Sequence, residues 1–400
     1  MSNLNILIVP SWYPTPRQQL RGSFFQEQAQ FLQGKEGLDF QVLYGEKKSF
    51  TLLRWVWIFI QSLFKPTWPI STKKVQQGPL AYGFDFPANR RITDNLQIQL
   101  EKRLFLKAYR TFVLQGWKPD LIHAQSGMDA GIYAHDLSKI HNIPFVIIEH
   151  QVFVFHYYSR VRAKMVLRAF EAANKTASVS EDERRQVLMN QPNCNPKVIW
   201  NLVDETRYQI QLEKRNKVFT IITILNSLPI KGFDTFLEAM FELVKETQNF
   251  KFIMIGKGAD EKSKDPASNA FVRKSKELGI YSIGEFIPFV ERDQISNILN
   301  TSHVFVSPTI QEPHGIAIRE AMMCGIPVVT TANGGVEDSI NQDTGLIVPV
   351  KSPQKLAAAI LKIKNSEIKF IPQRIRDLAI SQSGTKMFLK KMKEFYNFPE

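Results

Sequence analysis

The sequence predicts two α/β domains, each built on a parallel sheet with helices packed against it. Three observations support this fold class. The chain has 400 residues and a mass of 46.0 kDa, enough for two domains of ordinary size. Short β-branched runs alternate with longer amphipathic stretches, which is typical of parallel sheets. The alternation stops over a polar linker at residues 204–217 and then begins again, so two doubly wound domains are expected.

The elements follow in chain order. In the first half, apolar runs predict strands at residues 6–9, 40–44, 121–124, 145–149, 176–179 and 198–200. In the second half, the pattern predicts strands at 219–225, 250–255 and 303–307, with helices at 233–246 and 270–278. The segment GTKMFLKKMKEFY predicts a final helix. The expected domains are residues 1–205 and 206–378, with a C-terminal helix in 379–400 that packs back across them.

Composition excludes several classes of protein. A hydrophobic content of 44% with 22% charged residues fits a globular protein, and no apolar run is long enough to cross a bilayer. The opening MSNLNILIVP lacks the basic segment of a signal peptide and is interpreted as a buried strand, so we expect a cytoplasmic protein. Cys194 and Cys324 are too few for a disulfide framework or a cysteine metal site.

The formal net charge of +13 is concentrated in the first half of the chain. Residues 1–200 contain 25 Lys and Arg against 15 Asp and Glu, a net of +10, which leaves +3 for the rest. Such asymmetry indicates a polyanionic partner, either nucleic acid or an anionic membrane surface. We expect no nucleic-acid partner, because the sequence has no helix-turn-helix, zinc-finger or RNA-binding motif.

An aromatic insert at residues 51–70 favours the membrane. It contains Trp55, Trp57 and Trp68, and Arg54 and Lys65 flank its apolar core. Tryptophan prefers the headgroup region of a bilayer and basic side chains bind anionic lipid, so the insert fits an interfacial helix. A buried core helix is the equally weighted alternative. Two further stretches place basic residues on one helical face, either as part of the same surface or as solvated helix faces: Arg103, Lys107 and Arg110, and Arg160, Lys164 and Arg168.

The stretch SPTIQEPHGIAIREAMMCGIPVVTT, residues 307–331, is the strongest candidate for chemistry. Its pattern predicts a strand end, a loop, a helix that begins at Gly315, and another strand. The start of a helix binds anions through main-chain amides, and a glycine there lets the backbone approach a ligand closely. Glu312 and Glu320 flank this site, where carboxylates would repel phosphate but would accept hydrogen bonds from hydroxyls. A nucleotide sugar has this layout, with sugar, diphosphate and ribose in line. From spacing alone, the alternative is that one residue is a surface glutamate and the other a charge near the start of the helix.

The same residues resemble the retaining glycosyltransferases of family 4, which have the GT-B fold of two Rossmann-like domains facing a cleft. The resemblance rests on motifs in the family's order. They are Ser307, Glu312, Glu320-Ala321-Met322, Gly325, Pro327-Val328-Val329, Gly334-Gly335 and TGLIVP at 344–349. The segments VIWNLVDE, FKFIMIGKGAD, PSWYPTPRQQLRGSFFQEQAQFL and PFVIIEHQ extend it over most of the chain, least convincingly over 51–70.

The resemblance implies roles for individual residues. Glu312 is expected to bind hydroxyls of the donor sugar, and Glu320 those of the ribose. Lys231, in PIKGFD, would neutralise the leaving diphosphate. Gly22 would let the amino-terminal loop approach the diphosphate, and His150 would line the sugar pocket near the anomeric carbon.

Further donor contacts are expected from the backbone. The resemblance assigns contacts with sugar and phosphates to His314, Gly315, Ile316 and Ala317, and contacts with the base to Ile287 and Pro288. Family members usually have an arginine five residues before the lysine, but this chain has Asn226 there. Asparagine donates hydrogen bonds but has no charge, so either activity is low or another basic residue substitutes, such as Arg17, Arg21 or Lys257.

The predicted reaction is transfer of a sugar from a nucleotide diphosphate, with retention, to a saccharide acceptor that is lipid-linked. The two domains are expected to close over the donor. We expect no metal and no other cofactor, because Lys231 and the helix start can do the work of a divalent ion. Two other functions stay open. One is a sugar-nucleotide epimerase or phosphorylase on the same scaffold, and the other is a non-catalytic descendant that binds nucleotide.

Overall fold

The structure is a computed structural model that describes residues 3–15, 21–73, 78–153 and 158–397. The chain divides into two compact units. The first contains Met1–Val179 and Glu183–Ile199, and the second contains Ser180–Asp182 and Trp200–Glu400. Each unit has one predominantly parallel sheet with helices packed against it, which confirms the predicted fold class.

The first unit has an eight-stranded sheet in the order β3-β4-β2-β1-β5-β6-β7-β8. Its strands are β1 (Leu4–Pro10), β2 (Leu38–Ser49), β3 (Ser71–Lys73), β4 (Leu80–Ala88), β5 (Leu121–Gln125), β6 (Phe145–Glu149), β7 (Lys175–Ser178) and β8 (Lys197–Val198). All pairs are parallel except β3 with β4 at the edge. The central strands are buried on both faces, which explains why they are apolar runs without alternation.

The six strands predicted in this half are present, but β3 and β4 were not predicted. β4 contains a glycine and a proline, which weaken a strand pattern. It pairs with β2 over nine positions up to Ser49, so β2 is longer than predicted. The described helices of this unit are α1 (Ser23–Leu32), α2 (Leu52–Phe64), α3 (Asp94–Val113), α4 (Ile132–His141), α5 (Arg160–Ala172) and α6 (Glu181–Asn190), whose first residues group with the second unit.

Helix α2 lies within the aromatic insert. Thr51 caps it by accepting a hydrogen bond from the amide of Arg54. Trp55 and Ile58 are buried in the core of the unit, and the indole of Trp55 donates to Gln97. The opposite face is apolar and exposed, and its members are Leu53, Val56, Trp57, Ile60, Leu63 and Phe64. The insert is therefore not a fully buried core helix. The prediction that Trp55 lies at a membrane interface is wrong, because Trp55 is part of the core.

The second unit has a six-stranded parallel sheet in the order β11-β10-β9-β12-β13-β14. Its strands are β9 (Phe219–Ile224), β10 (Phe250–Ile255), β11 (Gly284–Ile287), β12 (Val304–Ser307), β13 (Val328–Thr331) and β14 (Gly345–Val348). Its described helices are α7 (Phe233–Glu246), α8 (Ala270–Glu277), α9 (Ile295–Asn300), α10 (Ile316–Met323), α11 (Pro353–Lys364), α12 (Pro372–Ser383) and α13 (Thr385–Tyr396). The elements predicted here agree with these to within one residue at each end.

Two apolar layers cover the faces of this second sheet. One contains side chains of α7 and α11, such as Phe236 and Ile360, and the other contains side chains of α10 and α12, such as Met322 and Ile375. Because the layers pack against both faces, helix starts are held at the carboxyl ends of the strands. Those ends are where a ligand site is expected.

Candidate functional site

The strand order of the second sheet reverses between β9 and β12, which are neighbours although three α-helices and two strands separate them in sequence. Ligands of doubly wound domains bind at this switch point, outside the carboxyl ends of the strands. The loops that follow the two strands contact each other here, since the amide of Ile310 donates to the carbonyl of Ile230 at 2.8 Å. Residues 225–232 and 308–315 thus form one surface.

Lys231 and Glu312 form an ion pair on this surface. The Lys231 Nζ lies 2.6 Å from Glu312 Oε2, and both side chains are partly exposed. The other carboxylate oxygen, Oε1, accepts a hydrogen bond from the amide of Gly315 at 3.2 Å. One carboxylate therefore joins the lysine of the first loop to the start of α10.

Glycines fix the geometry of this loop. Gly315 caps α10 with φ of +71°, and a Cβ there would lie 2.4 Å from Val336 Cγ1. A Cβ on Gly335 would lie 2.0 Å from the carbonyl oxygen of Glu312. Any larger residue at 335 would displace Glu312, which explains the second glycine of the Gly334-Gly335 pair.

The start of α10 differs in one respect from the sequence-based expectation. The sequence predicts that the main-chain amides at this helix start bind an anion, but the amide of Gly315 donates to the carboxylate of Glu312. The side chain of His314 is buried, and its Nε2 accepts from the amide of Asn201 at 3.1 Å. Ile316 and Ala317 form the first turn of α10 and are partly exposed.

Glu320 lies in the second turn of α10 and is buried. Its Oε1 accepts a hydrogen bond from the Tyr208 hydroxyl at 2.9 Å and lies 2.6 Å from Arg292 Nη1. Sequence reasoning missed both partners, although Arg292 follows the predicted base-contact segment at 287–288. Neighbouring Arg319 is also buried and bonds Ser339 and Gln382 at 2.7 Å each, which fastens α10 to α12.

The remaining predicted residues of this unit lie at the carboxyl ends of neighbouring strands. Asn226 follows β9, and its Oδ1 accepts from the amide of Leu228 at 3.0 Å, so the oxygen is used within its own turn. The Ile287 carbonyl accepts from the amide of Gly256 at 2.9 Å, and Pro288 beside it is exposed. Lys257 is exposed after β10.

Gly22 and His150 belong to the first unit, where helix α1 connects them. Gly22 caps α1 with φ of +73°, and a Cβ there would lie 2.7 Å from the Trp12 carbonyl oxygen. His150 follows β6 and is buried, with its ring edge-on to Phe25 of α1 at 4.8 Å between centroids. Its amide donates to Glu149, a carboxyl whose pKa is raised by burial against several hydrogen bonds that lower it. Arg17 lies outside the described residues.

Metal-binding and membrane-spanning features are absent from the described residues. Within them, no group of three or more His, Cys, Asp and Glu side chains is arranged to hold a metal ion. No helix of the described chain is both long and apolar enough to cross a bilayer.

Comparison with known proteins identifies the family. The family model described as "Glycosyl transferases group 1" matches residues 204–379, and the one described as "Glycosyltransferase Family 4" matches residues 77–207. The chain is a glycosyltransferase of the family 4 type. The Bacillus subtilis protein TuaC, which is named for a glycosyltransferase role in teichuronic acid biosynthesis, is 25% identical over 381 residues. That match covers 91% of this glycosyltransferase and 90% of TuaC.

Solved structures support the GT-B fold of this glycosyltransferase. A sucrose-phosphate synthase from Thermosynechococcus elongatus has a TM-score of 0.77 at 15% identity, over 98% of each chain. The Anabaena protein HepE, solved in complex with UDP-glucose, has a TM-score of 0.71 at 17% identity. That match covers 98% of this glycosyltransferase and 99% of HepE. Both domains of the fold are therefore included in the likeness.

Proposed function

We propose that this glycosyltransferase transfers a sugar, with retention, from a nucleoside diphosphate sugar to a lipid-linked saccharide. The observation that carries the proposal is the Lys231–Glu312 pair at the switch point of the second sheet, with Glu320 one helix turn beyond the start of α10. These groups provide one cation for phosphates and two carboxylates for hydroxyls. The UDP-glucose complex of HepE supports a donor of this class.

In this proposal, Lys231 binds the leaving diphosphate and Glu312 the hydroxyls of the transferred sugar. The pair is neutral as it stands, so a diphosphate can take Lys231 as its partner while Glu312 becomes an acceptor for sugar hydroxyls. Glu320 accepts hydrogen bonds from the ribose, in competition with Tyr208 and Arg292. Because Lys231 supplies positive charge at the phosphates, we expect turnover without a divalent ion.

Retention follows from a front-face reaction. Glu312 is held by Lys231 and by the amide of Gly315, an arrangement that suits a positioned hydrogen-bond acceptor more than a nucleophile. In the transfer step the bond from the anomeric carbon to the phosphate oxygen breaks. The bond from that carbon to the acceptor oxygen forms on the same face, and the acceptor proton moves to the leaving phosphate oxygen.

The acceptor is proposed to reside at an anionic membrane surface, at the cytoplasmic face. The support is the exposed apolar face of α2, where Leu53 is 85%, Trp57 57% and Phe64 80% exposed. Monomeric proteins rarely expose contiguous apolar surface of this kind without a partner. TuaC, named for teichuronic acid biosynthesis, supports a polysaccharide product.

Arg103 and Lys107 of α3 are partly buried against α2, so they are not part of a solvated helix face, whereas Arg110 is exposed. Arg103 bonds Ser62 at 3.2 Å and stacks on Phe59, and Lys107 donates to the carbonyl of Lys65. Burial and the neighbouring arginines lower the pKa of Lys107. These contacts fix the orientation of α2 and keep cationic charge beside its apolar face, as binding to anionic lipid requires.

Thermal unfolding with and without nucleoside diphosphates tests the donor site. A ligand that binds only the folded protein raises the melting temperature, and we expect Glu320→Gln to lose most of this rise. Glu246→Gln, an exposed carboxylate of α7, is the matched control. The absence of stabilisation by any nucleoside diphosphate would contradict the proposal.

Product analysis tests the reaction itself. NMR of the anomeric proton should show the donor configuration retained in the product. Conversion of the donor without any acceptor would indicate an epimerase, and binding without turnover would indicate a non-catalytic protein.

A further inference from the structure

Three adjoining cavities lie at the carboxyl edge of the first sheet. One of about 260 Å³ lies at the switch point between β1 and β5 and is lined by Tyr13, Arg21 and Asp129. The second has about 740 Å³ and the third about 730 Å³, and these two share the end of β2 and the start of α2. Lys47 lines all three. Because they share lining residues, the three cavities are named together the first-unit groove.

The floor of the groove is a buried polar network. Arg162 is almost fully buried and binds three carboxylates, those of Asp94 at 2.7 Å, Glu101 at 3.1 Å and Asp129. Lys47 Nζ lies 2.8 Å from Asp129. The two cations and three carboxylates nearly cancel, so the floor is suited to the hydroxyls of a saccharide and not to an anion.

A second observation also indicates a polar ligand. The hydroxyl of Tyr13, which lines the groove, is buried and has no hydrogen-bond partner among the described residues. Buried hydroxyls are nearly always hydrogen-bonded, so this one is available to a ligand. The rings of Tyr13 and Tyr44 lie 5.0 Å apart and add an aromatic wall of the kind on which sugars pack.

The rim of the groove is strongly cationic. Arg90 and Arg91, in the turn after β4, and Arg54, in the first turn of α2, line its two larger parts. Within the described residues, none of these three guanidinium groups has a carboxylate within ion-pair distance. Arg54 instead stacks on Phe50 at 4.6 Å. Three guanidinium groups without a carboxylate partner in the described structure, in two cavities that share lining residues, favour a phosphate-bearing ligand, which arginine binds through paired N–H donors.

The position of the rim indicates which phosphate-bearing molecule binds there. Leu52, the first residue of α2, lines the groove, and the exposed apolar face of α2 begins at the next residue. We propose that Arg54, Arg90 and Arg91 bind the diphosphate that joins the acceptor saccharide to its lipid. The saccharide lies over the polar floor and the lipid stays in the membrane beside α2. This inference rests on the proposed transfer to a lipid-linked acceptor.

Vesicle binding by the full chain tests the inference. Phosphatidylcholine vesicles are doped either with a polyprenyl diphosphate or with phosphatidylglycerol to the same total negative charge. We expect the protein to bind the diphosphate vesicles at least about tenfold more tightly, since paired charge-assisted hydrogen bonds exceed the non-specific attraction to anionic lipid. Equal binding to the two kinds of vesicle would overturn the inference.

Variants assign the preference to the rim. The double variant Arg90→Gln with Arg91→Gln should lose the tenfold preference but keep its binding to phosphatidylglycerol within about threefold, because α2 is unchanged. The matched control is Lys164→Gln with Arg168→Gln, which removes the same charge from exposed positions of α5 outside the groove. The control should keep the preference, and Arg90→Lys with Arg91→Lys should keep part of it. If the glutamine double variant keeps the full preference for diphosphate vesicles, the assignment of that preference to Arg90 and Arg91 is wrong.

The same preparations separate this inference from the proposed function. Stabilisation by nucleoside diphosphates depends on the second unit and should be equal in all these variants. A protein that no nucleoside diphosphate stabilises fails the proposed function. One that is stabilised, but shows no preference for diphosphate vesicles, fails only the inference about the rim.

Discussion

Trp55 and Trp57 of α2 allow the membrane proposal to be tested with two identical substitutions. Trp55 is 4% exposed, its indole donates to Gln97 at 3.0 Å, and its ring stacks on Phe59. Trp57 is 57% exposed and lies on the apolar outer face. Replacing each with alanine removes the same side chain from the core in one case and from the surface in the other.

The expected magnitudes follow from burial. A tryptophan can bury about 250 Å², so the exposed 57% of Trp57 leaves about 140 Å² for a membrane to cover. At about 25 cal/mol per Å² the full insertion contributes roughly 3.5 kcal/mol, of which alanine retains a minor part. We therefore expect Trp57→Ala to weaken vesicle binding by about 30- to 150-fold, or 2–3 kcal/mol. Its effect on the free energy of unfolding should stay within about 0.5 kcal/mol.

Trp55→Ala should show the opposite behaviour. Loss of a buried tryptophan costs about 3–5 kcal/mol of stability, and it also leaves the Gln97 side chain without its donor. Flotation with anionic vesicles measures binding, and thermal unfolding measures stability. Met189→Ala, at an exposed apolar position of α6, is the control for non-specific loss of surface. Vesicle binding by Trp57→Ala at the level of the parent protein would refute the membrane proposal.

Three further predictions concern the chemistry and the stability of the fold. Lys231→Met should lower kcat by about 10²- to 10³-fold, which is the usual cost of removing one group that stabilises transition-state charge. Steady-state kinetics with a donor of the nucleotide that stabilises the protein measures this loss. Gly335→Ala should lower kcat with little change in nucleotide affinity, because its Cβ displaces the Glu312 backbone; calorimetric titration with the nucleotide separates the two effects. Burial lowers the pKa of His123 from 6.5 to about 3, so the unfolded chain binds more protons between these values and stability falls as pH drops below 6.5. Thermal unfolding from pH 7.5 to 4.5 should show a loss on the order of 2–3 kcal/mol that His123→Gln removes, and an unchanged pH profile would contradict this.

Much of the fold could be predicted from sequence because the strands of a parallel sheet are buried on both faces. β6 and β10 are mostly apolar and buried, apart from Glu149 at the end of β6 and the exposed Lys251 in β10, and their predicted bounds agree with the structure. β3 and β4 could not be predicted this way. β3 has two exposed residues and one partly exposed residue, and its strand character depends on pairing with β4. The sequence pattern also could not predict that α2 is buried on one face only, because both faces of this helix are apolar.

The candidate site, like the fold, could be predicted from the sequence only in part. Glu312, Gly315 and Glu320 lie within nine consecutive positions, so spacing alone placed them at one helix start. The partners of Glu320 are distant in sequence, since Tyr208 is 112 positions away. Local patterns carry no information about such contacts. The engagement of the Gly315 amide by Glu312 depends on a side-chain rotamer, which the pattern does not determine either.

The charge missing at Asn226 leads to a prediction about Arg292. This guanidinium lies 2.6 Å from Glu320, the proposed ribose carboxylate, and is partly exposed. Lys257 is the residue of the second unit that the sequence offers as a substitute for the missing arginine. In the described structure it contacts neither Glu312 nor Glu320. We therefore expect Arg292 to supply the second positive charge at the diphosphate once the ribose binds Glu320.

If Arg292 has this role, Arg292→Gln should lower kcat/KM by at least about tenfold, in line with the loss of one charged donor. Adding Asn226→Arg to that variant should restore most of the activity, because it returns a guanidinium to the position usual in the family. The same Asn226→Arg change in the parent protein should have little effect, since the site already has two cations. The Asn226→Arg change removes the hydrogen bond that Asn226 accepts from the amide of Leu228, which costs about 1 kcal/mol of stability. A large gain from Asn226→Arg alone would show that no residue substitutes for the missing arginine, and an unaffected Arg292→Gln would show that Arg292 is not the one.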